Sequence, residues 1–196
     1  MSKDRTVIVL ANRKGGVGKT KGCIYIAECL RVANHKVIGI DLDPEKGWIK
    51  LHKNGSLKYD VIEANAKTLK ALVQALEGFI VIDTPPNDVE SLMKACLLAD
   101  EVFVPLAATG DDMSRLDSTL AEIVAIEEAR GVPLTTVYLN RWDGRKNISK
   151  ETLELMSRRD IPVADQKIRY LTEYERFGPP LLLDEYNALL KEVKVL

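Results

Sequence analysis

The sequence predicts an α/β fold, a mostly parallel, doubly wound sheet with helices on both faces. Val/Ile-rich runs such as Thr6 to Ala11 and Phe79 to Asp83 are continuously apolar, as strands covered on both sides must be. Segments of helical period alternate with them, which is the order a parallel sheet requires. The glycine-rich string Lys14 to Thr20 joins the first apolar run to the first helical one. With 196 residues, 46% of them hydrophobic, the chain can bury roughly 70% of its unfolded surface around one core. A single domain over residues 1–196 is expected, with no repeat, low-complexity tract or linker.

The elements follow in order. The first strand, Thr6 to Ala11, feeds the glycine loop, and a helix from Lys19 to Ala33 leaves it. Gly22 inside that helix costs about 1 kcal/mol relative to alanine, which close packing of the helix against the loop would offset. The second strand, Lys36 to Asp41, runs into Asp41-Leu42-Asp43-Pro44-Glu45. A helix over Ala66 to Leu76 leads to the strand Phe79 to Asp83, then Thr84-Pro85-Pro86 and a helix over Val89 to Leu98. Strands Glu101 to Leu106 and Thr135 to Asn140 flank a helix over Asp112 to Ala129, where Met113, Leu116, Leu120, Ile123 and Val124 recur at core-facing spacing. A helix over Ser149 to Arg158 and a short strand near Ile161 to Val163 follow. Leu182, Tyr186, Leu189, Leu190 and Val193 form a last helical stripe. Its neighbours Asp184, Glu185, Lys191, Glu192 and Lys194 carry no cationic excess for anionic lipid, so a core-packed helix is expected there.

The string after the first strand is a phosphate-binding loop in the setting it requires. Gly15, Gly16, Val17 and Gly18 let backbone N–H groups turn around an anion, and the helix opening at Lys19 points its positive end at phosphates. Lys19 adds a full charge and the Thr20 hydroxyl is an Mg²⁺ ligand. The fold expected is therefore a P-loop NTPase sheet. Ligands of such sheets gather at the carboxyl ends of strands, so Asp41 and Asp43 should face the same phosphates. Asp83, also at a strand end, can hold Mg²⁺ through a water.

Lys14 stands immediately before the glycines. The string Lys-Gly-Gly-Val-Gly-Lys-Thr, followed by Asp41-Leu42-Asp43-Pro44-Glu45 and Asp83-Thr84-Pro85-Pro86, resembles the deviant Walker A ATPases of the ParA/MinD family. The likeness continues through Ala99-Asp100, Val104-Pro105 and Leu139-Asn140-Arg141-Trp142-Asp143, over essentially the whole chain. It implies a Mg²⁺-dependent ATPase that cleaves ATP to ADP and phosphate. The signature lysine, Lys14, would reach across a homodimer seam to the partner's nucleotide, where two ATP-bearing faces would otherwise repel. Lys14, Lys19 and Asp43 would be the catalytic residues, with Asp43 orienting the attacking water. Asp41 would support the Mg²⁺ shell beside Thr20 and Asp83. Lys14, Gly15, Gly16, Val17, Gly18, Lys19, Thr20 and Lys21 would cradle the nucleotide, with Asn140 at the base edge. Two residues depart from the pattern: Glu45 stands where glutamine is usual, and Lys21 where a second threonine is usual.

A first strand beginning near Thr6 leaves no room for an N-terminal helix-turn-helix, so the resemblance points to small ParA partition ATPases. These pair on ATP, bind nonspecific DNA, and cleave ATP when a ParB-like centromere-binding protein stimulates them. The alternatives are a ParA-like ATPase that positions a protein cargo and a MinD-like membrane-associated regulator. A net charge of −1 gives no global pull toward DNA, so that binding needs a local patch doubled by pairing. Two basic clusters qualify: Lys46, Lys50, Lys53 and Lys58, and the preferred set Arg141, Arg145, Lys146, Lys150, Arg158, Arg159, Lys167 and Arg169. Cys23, Cys29 and Cys96 lack the spacing of a zinc or disulfide framework. No apolar run approaches a bilayer span, so no membrane partner and a cytoplasmic, nucleoid-associated location are expected.

Overall fold

Arg5–Leu10 (β1), Val37–Asp41 (β2), Asp60–Glu63 (β3), Gly78–Asp83 (β4), Glu101–Ala107 (β5) and Thr135–Asn140 (β6) form one sheet. Its order is β3-β2-β4-β1-β5-β6, and every pairing is parallel. The computed structural model describes residues 5–107, 112–131, 135–158, 161, 163–175 and 182–196. Helices Lys19–Val32 (α1), Gly47–Lys53 (α2), Leu69–Ala75 (α3), Val89–Leu98 (α4), Asp112–Arg130 (α5), Asn147–Arg158 (α6), Thr172–Glu175 (α7) and Asp184–Glu192 (α8) connect the strands and cover them.

Side chains alternate across a strand, so each strand feeds two cores. Ile8, Leu10, Val81, Phe103 and Tyr138 enter the core closed by α1, α2 and α8 through Ile24, Leu30, Trp48, Tyr186 and Leu190. Val7, Val9, Ile80, Ile82, Val102 and Val104 enter the opposite one, under Leu69, Leu92, Cys96, Leu116, Ile123 and Met156 of α3 to α6. Helix α1 carries the chain from β1 out to β2, whereas α4 carries it from β4 past β1 to β5. The carboxyl end of β1 is therefore the switch point of the sheet, where ligands of such folds sit.

The structure departs from the sequence-based expectations in particular places. Gly47–Lys53 and Asp60–Glu63 are a helix and a strand that no periodicity announced. Helix α2 starts after Lys46 in a left-handed conformation, and it is supported by its burial of Trp48, Ile49 and Leu51 and by the Ile49 N–H, which donates to Asp41. The expected strand at 161–163 is a single parallel bridge between Val137 and Val163, and residue 162 lies outside the described residues. In α5 Leu116 and Ile123 are buried, but Val124 is 44% exposed, because the face that meets the sheet runs through Ile123 and Ile126. The Met113 side chain lies outside the described residues. Leu182 precedes α8, while Tyr186, Leu189 and Leu190 pack that helix into the core with α1.

Gly22 packs against strand side chains and not against the loop. A Cβ there would come within 2.5 Å of Leu10 Cδ2 and 2.8 Å of Tyr138 Oη. Gly22→Ala should therefore lower stability despite a helix-propensity gain of about 1 kcal/mol, since overpacking a core costs about 1–3 kcal/mol. Urea unfolding checks this, and a higher midpoint for the variant would show that the interface has room.

Candidate functional site

Gly16 and Gly18 have φ of 77° and 99°, the left-handed backbone that lets loop amides converge. Gly18 is constrained twice, since it caps α1 and a Cβ on it would overlap the Asn140 amide. The ends of other strands hold the loop in this shape. Asn12 donates from Nδ2 to the Pro105 carbonyl and accepts the Lys14 N–H at Oδ1, both at 2.9 Å. Asn140 Nδ2 donates to the Val17 carbonyl at 2.8 Å, and Arg141 Nη1 to the Gly16 carbonyl at 2.9 Å. From α5, Thr119 Oγ1 accepts the Arg13 N–H at 3.0 Å, and Glu122 pairs with the Arg13 guanidinium at 3.2 Å.

Burial sets the electrostatics. Lys19 is 6% exposed and its Nζ donates to the Lys14 carbonyl at 2.9 Å. Loss of solvent pushes its ammonium below the usual lysine range, with Asp83 and Asp43 opposing. Asp83 is 1% exposed, and burial lifts its carboxyl to about 7, opposed by the Thr20 hydroxyl, which donates to Oδ2 at 2.5 Å. Asp83 Oδ1 is buried without a hydrogen-bond partner among the described residues. A buried, unsatisfied carboxylate oxygen beside a hydroxyl fits a hard divalent cation. Thr20 and Asp83 offer the oxygen ligands Mg²⁺ takes, directly or through water, with phosphates completing the shell.

Asp41 lies level with Asp83 across the β2–β4 ladder. Its Oδ1 accepts the Asp43 N–H at 3.0 Å and its Oδ2 the Ile49 N–H at 3.1 Å, so Asp41 braces the turn that presents Asp43. Asp43 in turn accepts the Glu45 N–H at 2.9 Å. Loop, α1 start and turn enclose a cleft of about 480 Å³ whose lining includes Gly15, Lys19, Thr20, Lys21, Asp43 and Pro86, a size typical of small-molecule sites. Glu45 and Arg141 also line it. The sequence groups Arg141 with the DNA-facing cations, and nothing in its sequence context signals the left-handed backbone (φ 55°) from which it reaches the loop.

The basic clusters are partly neutralised by neighbours. Lys46 pairs with Glu63 at 2.7 Å, an acid that follows the last lysine of its cluster, Lys58, on β3. In the second set Arg145 pairs with Asp143 at 2.9 Å, Arg158 with Glu154 at 3.6 Å, and Arg169 with Glu185. Lys146 and Lys167 lie over the rings of Tyr170 and Trp142, and Arg159 is outside the described residues. Among the described residues no helix is long and apolar enough to cross a membrane.

The chain belongs to the CobQ/CobB/MinD/ParA nucleotide-binding domain family, whose model matches residues 8–178. It is 29% identical over 180 residues to the maintenance of carboxysome distribution protein A of Gloeobacter kilaueensis, covering 87% of this chain and 79% of that one. It is 25% identical over 197 residues to the chromosome partitioning protein ParA of Caulobacter vibrioides, covering 74% of this chain and 73% of the relative. In fold it resembles a putative plasmid partition protein from Borrelia burgdorferi bound to AMPPNP, with a TM-score of 0.74, 19% identity, and coverage of 99% of this chain and 100% of that one.

The raised Asp83 carboxyl makes a stability prediction. Between pH about 4 and about 7 the folded chain retains a proton that the unfolded chain releases, so stability without nucleotide falls as pH rises through that window. Asp83→Asn removes the penalty. Its Tm should exceed that of the wild type by several degrees above pH 7 and converge with it near pH 4. A variant less stable at both pH values would contradict the burial argument.

Proposed function

We propose that this family member is an ATPase of the partition type. It pairs with a second copy on ATP, binds nonspecific DNA in the paired form, and cleaves ATP when a centromere-binding partner of the ParB kind stimulates it. The observation that carries this reading is Lys14, a second lysine before the glycines of a loop whose own cation, Lys19, already lies inside the cleft. A loop with its own buried cation needs no second one for its own phosphates. Lys14 therefore serves the phosphates of the other subunit, where opposed ATP charges need compensation.

Within one subunit the loop amides and Lys19 would hold the phosphates, and Thr20 and Asp83 would hold Mg²⁺, which when bound would neutralise phosphate charge. Asp41 supports that shell through the turn it braces, and Asp43 orients the water. Asn140, which lines a small pocket with Gly18, Lys21 and Arg141 and does not line the cleft itself, is the candidate for the base edge, and Lys21 adds charge at the start of α1. DNA binding comes from the basic residues of the C-terminal half, whose modest charge becomes effective when pairing doubles it. The similarity to a carboxysome-distribution protein favours a second reading, the same cycle positioning a protein cargo. The buried stripe of α8 supports neither membrane attachment nor a MinD-like role for that segment.

Lys14→Gln should bind ATP with nearly wild-type affinity but fail to pair and fail to retain duplex DNA, while wild-type retention weakens steeply with salt. Sizing and DNA retention with ATP measure both, and equal DNA retention by the two proteins would remove the nucleotide-gated dimer. Asp43→Ala should accumulate as an ATP-bound pair with turnover reduced at least 100-fold. Turnover at the wild-type rate would give Asp43 another role.

A further inference from the structure

Away from the cleft, between α3 and α4, a groove of about 540 Å³ is lined by Ala66, Leu97 and Leu98 and edged by Lys67, Lys70 and Lys94. Leu97 is 52% exposed. A lone exposed leucine needs no explanation, but this one sits beside Leu98 in a concave site with a rim of one sign, on a chain whose net charge is −1. Lys94 is shared with Glu90 at 2.7 Å, whereas neither Lys67 nor Lys70 is ion-paired among the described residues.

We propose that the α3–α4 groove docks an acidic, amphipathic helical segment of a partner protein, with its apolar stripe on Leu97 and Leu98 and its carboxylates on the three lysines. Helix-in-groove recognition uses this pairing of a short apolar seat with complementary charge, which sets orientation and excludes cationic competitors. The groove is one helix from the nucleotide cleft. Helix α4 begins at the Asp88 cap, which accepts the Ser91 N–H at 3.0 Å, just after the segment whose Pro86 lines the cleft. Docking does not require ATP and so stands apart from the paired-ATPase reading. Failure of one leaves the other intact.

The test uses two labelled synthetic helical peptides that share one leucine stripe, flanked by glutamate in one and lysine in the other. Fluorescence anisotropy without nucleotide follows their binding to the full chain. The glutamate peptide should bind wild type and lose about tenfold in affinity to Leu97→Ser, a surface change that leaves the cores intact. The combined variant Lys67→Glu, Lys70→Glu, Lys94→Glu should reject the glutamate peptide and accept the lysine one, which also shows that the variant is folded. Equal binding of both peptides, binding of neither, or indifference to these substitutions overturns the proposal. So does self-association of the wild type that the charge reversal abolishes, or a labelled duplex DNA taking the groove in place of the glutamate peptide.

Discussion

The cleft depends on the register of three parallel strands. Pairing of β2 on β4 sets Asp41 opposite Asp83, and pairing of β4 on β1 sets Asp83 opposite Leu10, so both carboxylates end their strands at the level where the glycine loop begins. A slip of one residue would turn each carboxylate to the other face of the sheet and its apolar neighbours out of both cores. The Val/Ile ladders that prevent this slip are thus part of the chemistry. They hold two carboxylates and the Lys19 ammonium in a region almost closed to water, where each charge alone is disfavoured. Lys19, the Thr20 hydroxyl and the N–H groups of Asp43 and Ile49 make the arrangement tolerable. The remaining unsatisfied oxygen, Asp83 Oδ1, is where a bound cation would contribute most.

Rigidity around this cluster comes from hydrogen bonds between segments far apart in sequence. The Thr84 hydroxyl donates to the Leu10 carbonyl at 2.7 Å, and the Asn87 N–H to the Arg13 carbonyl at 3.1 Å, so the segment after Asp83 is fastened to the glycine loop from behind. Asn140 and Arg141 fasten it from the β6 side. Lys14 is carried on this frame, its N–H held by Asn12 and its carbonyl by Lys19. In the proposed dimer, a lysine that reaches the other subunit would do so from a backbone whose position is already determined.

The sheet and the loop were legible in the sequence because each depends on local chemistry: continuous apolar runs, glycines before Lys19 and Thr20, and aspartates at strand ends. What escaped depends on tertiary partners. Helix α2 and strand β3 are too short for periodicity and exist because Trp48 and Val61 find a core. The packing of Gly22 against Leu10 and Tyr138 needs the three-dimensional arrangement, as does the pairing of Lys46 with Glu63. Arg141 looked like one more cation in a basic stretch. Its place at the loop follows from a left-handed backbone that arginine seldom adopts and that no local signal marks.

The proposed service of Lys14 to the nucleotide of the other subunit is what would distinguish this chain from an ordinary monomeric phosphate-binding loop, and mixed dimers measure it directly. A Lys14→Gln subunit retains its own loop cation but offers nothing across the seam, whereas a Lys19→Ala subunit holds nucleotide poorly but still presents Lys14. Each variant alone should be inactive in ATP cleavage. Mixed, they should recover cleavage, because the nucleotide held by the first subunit meets Lys14 of the second. If the mixture stays as inactive as its components while the two variants are shown to pair, Lys14 acts within its own subunit and not across the seam.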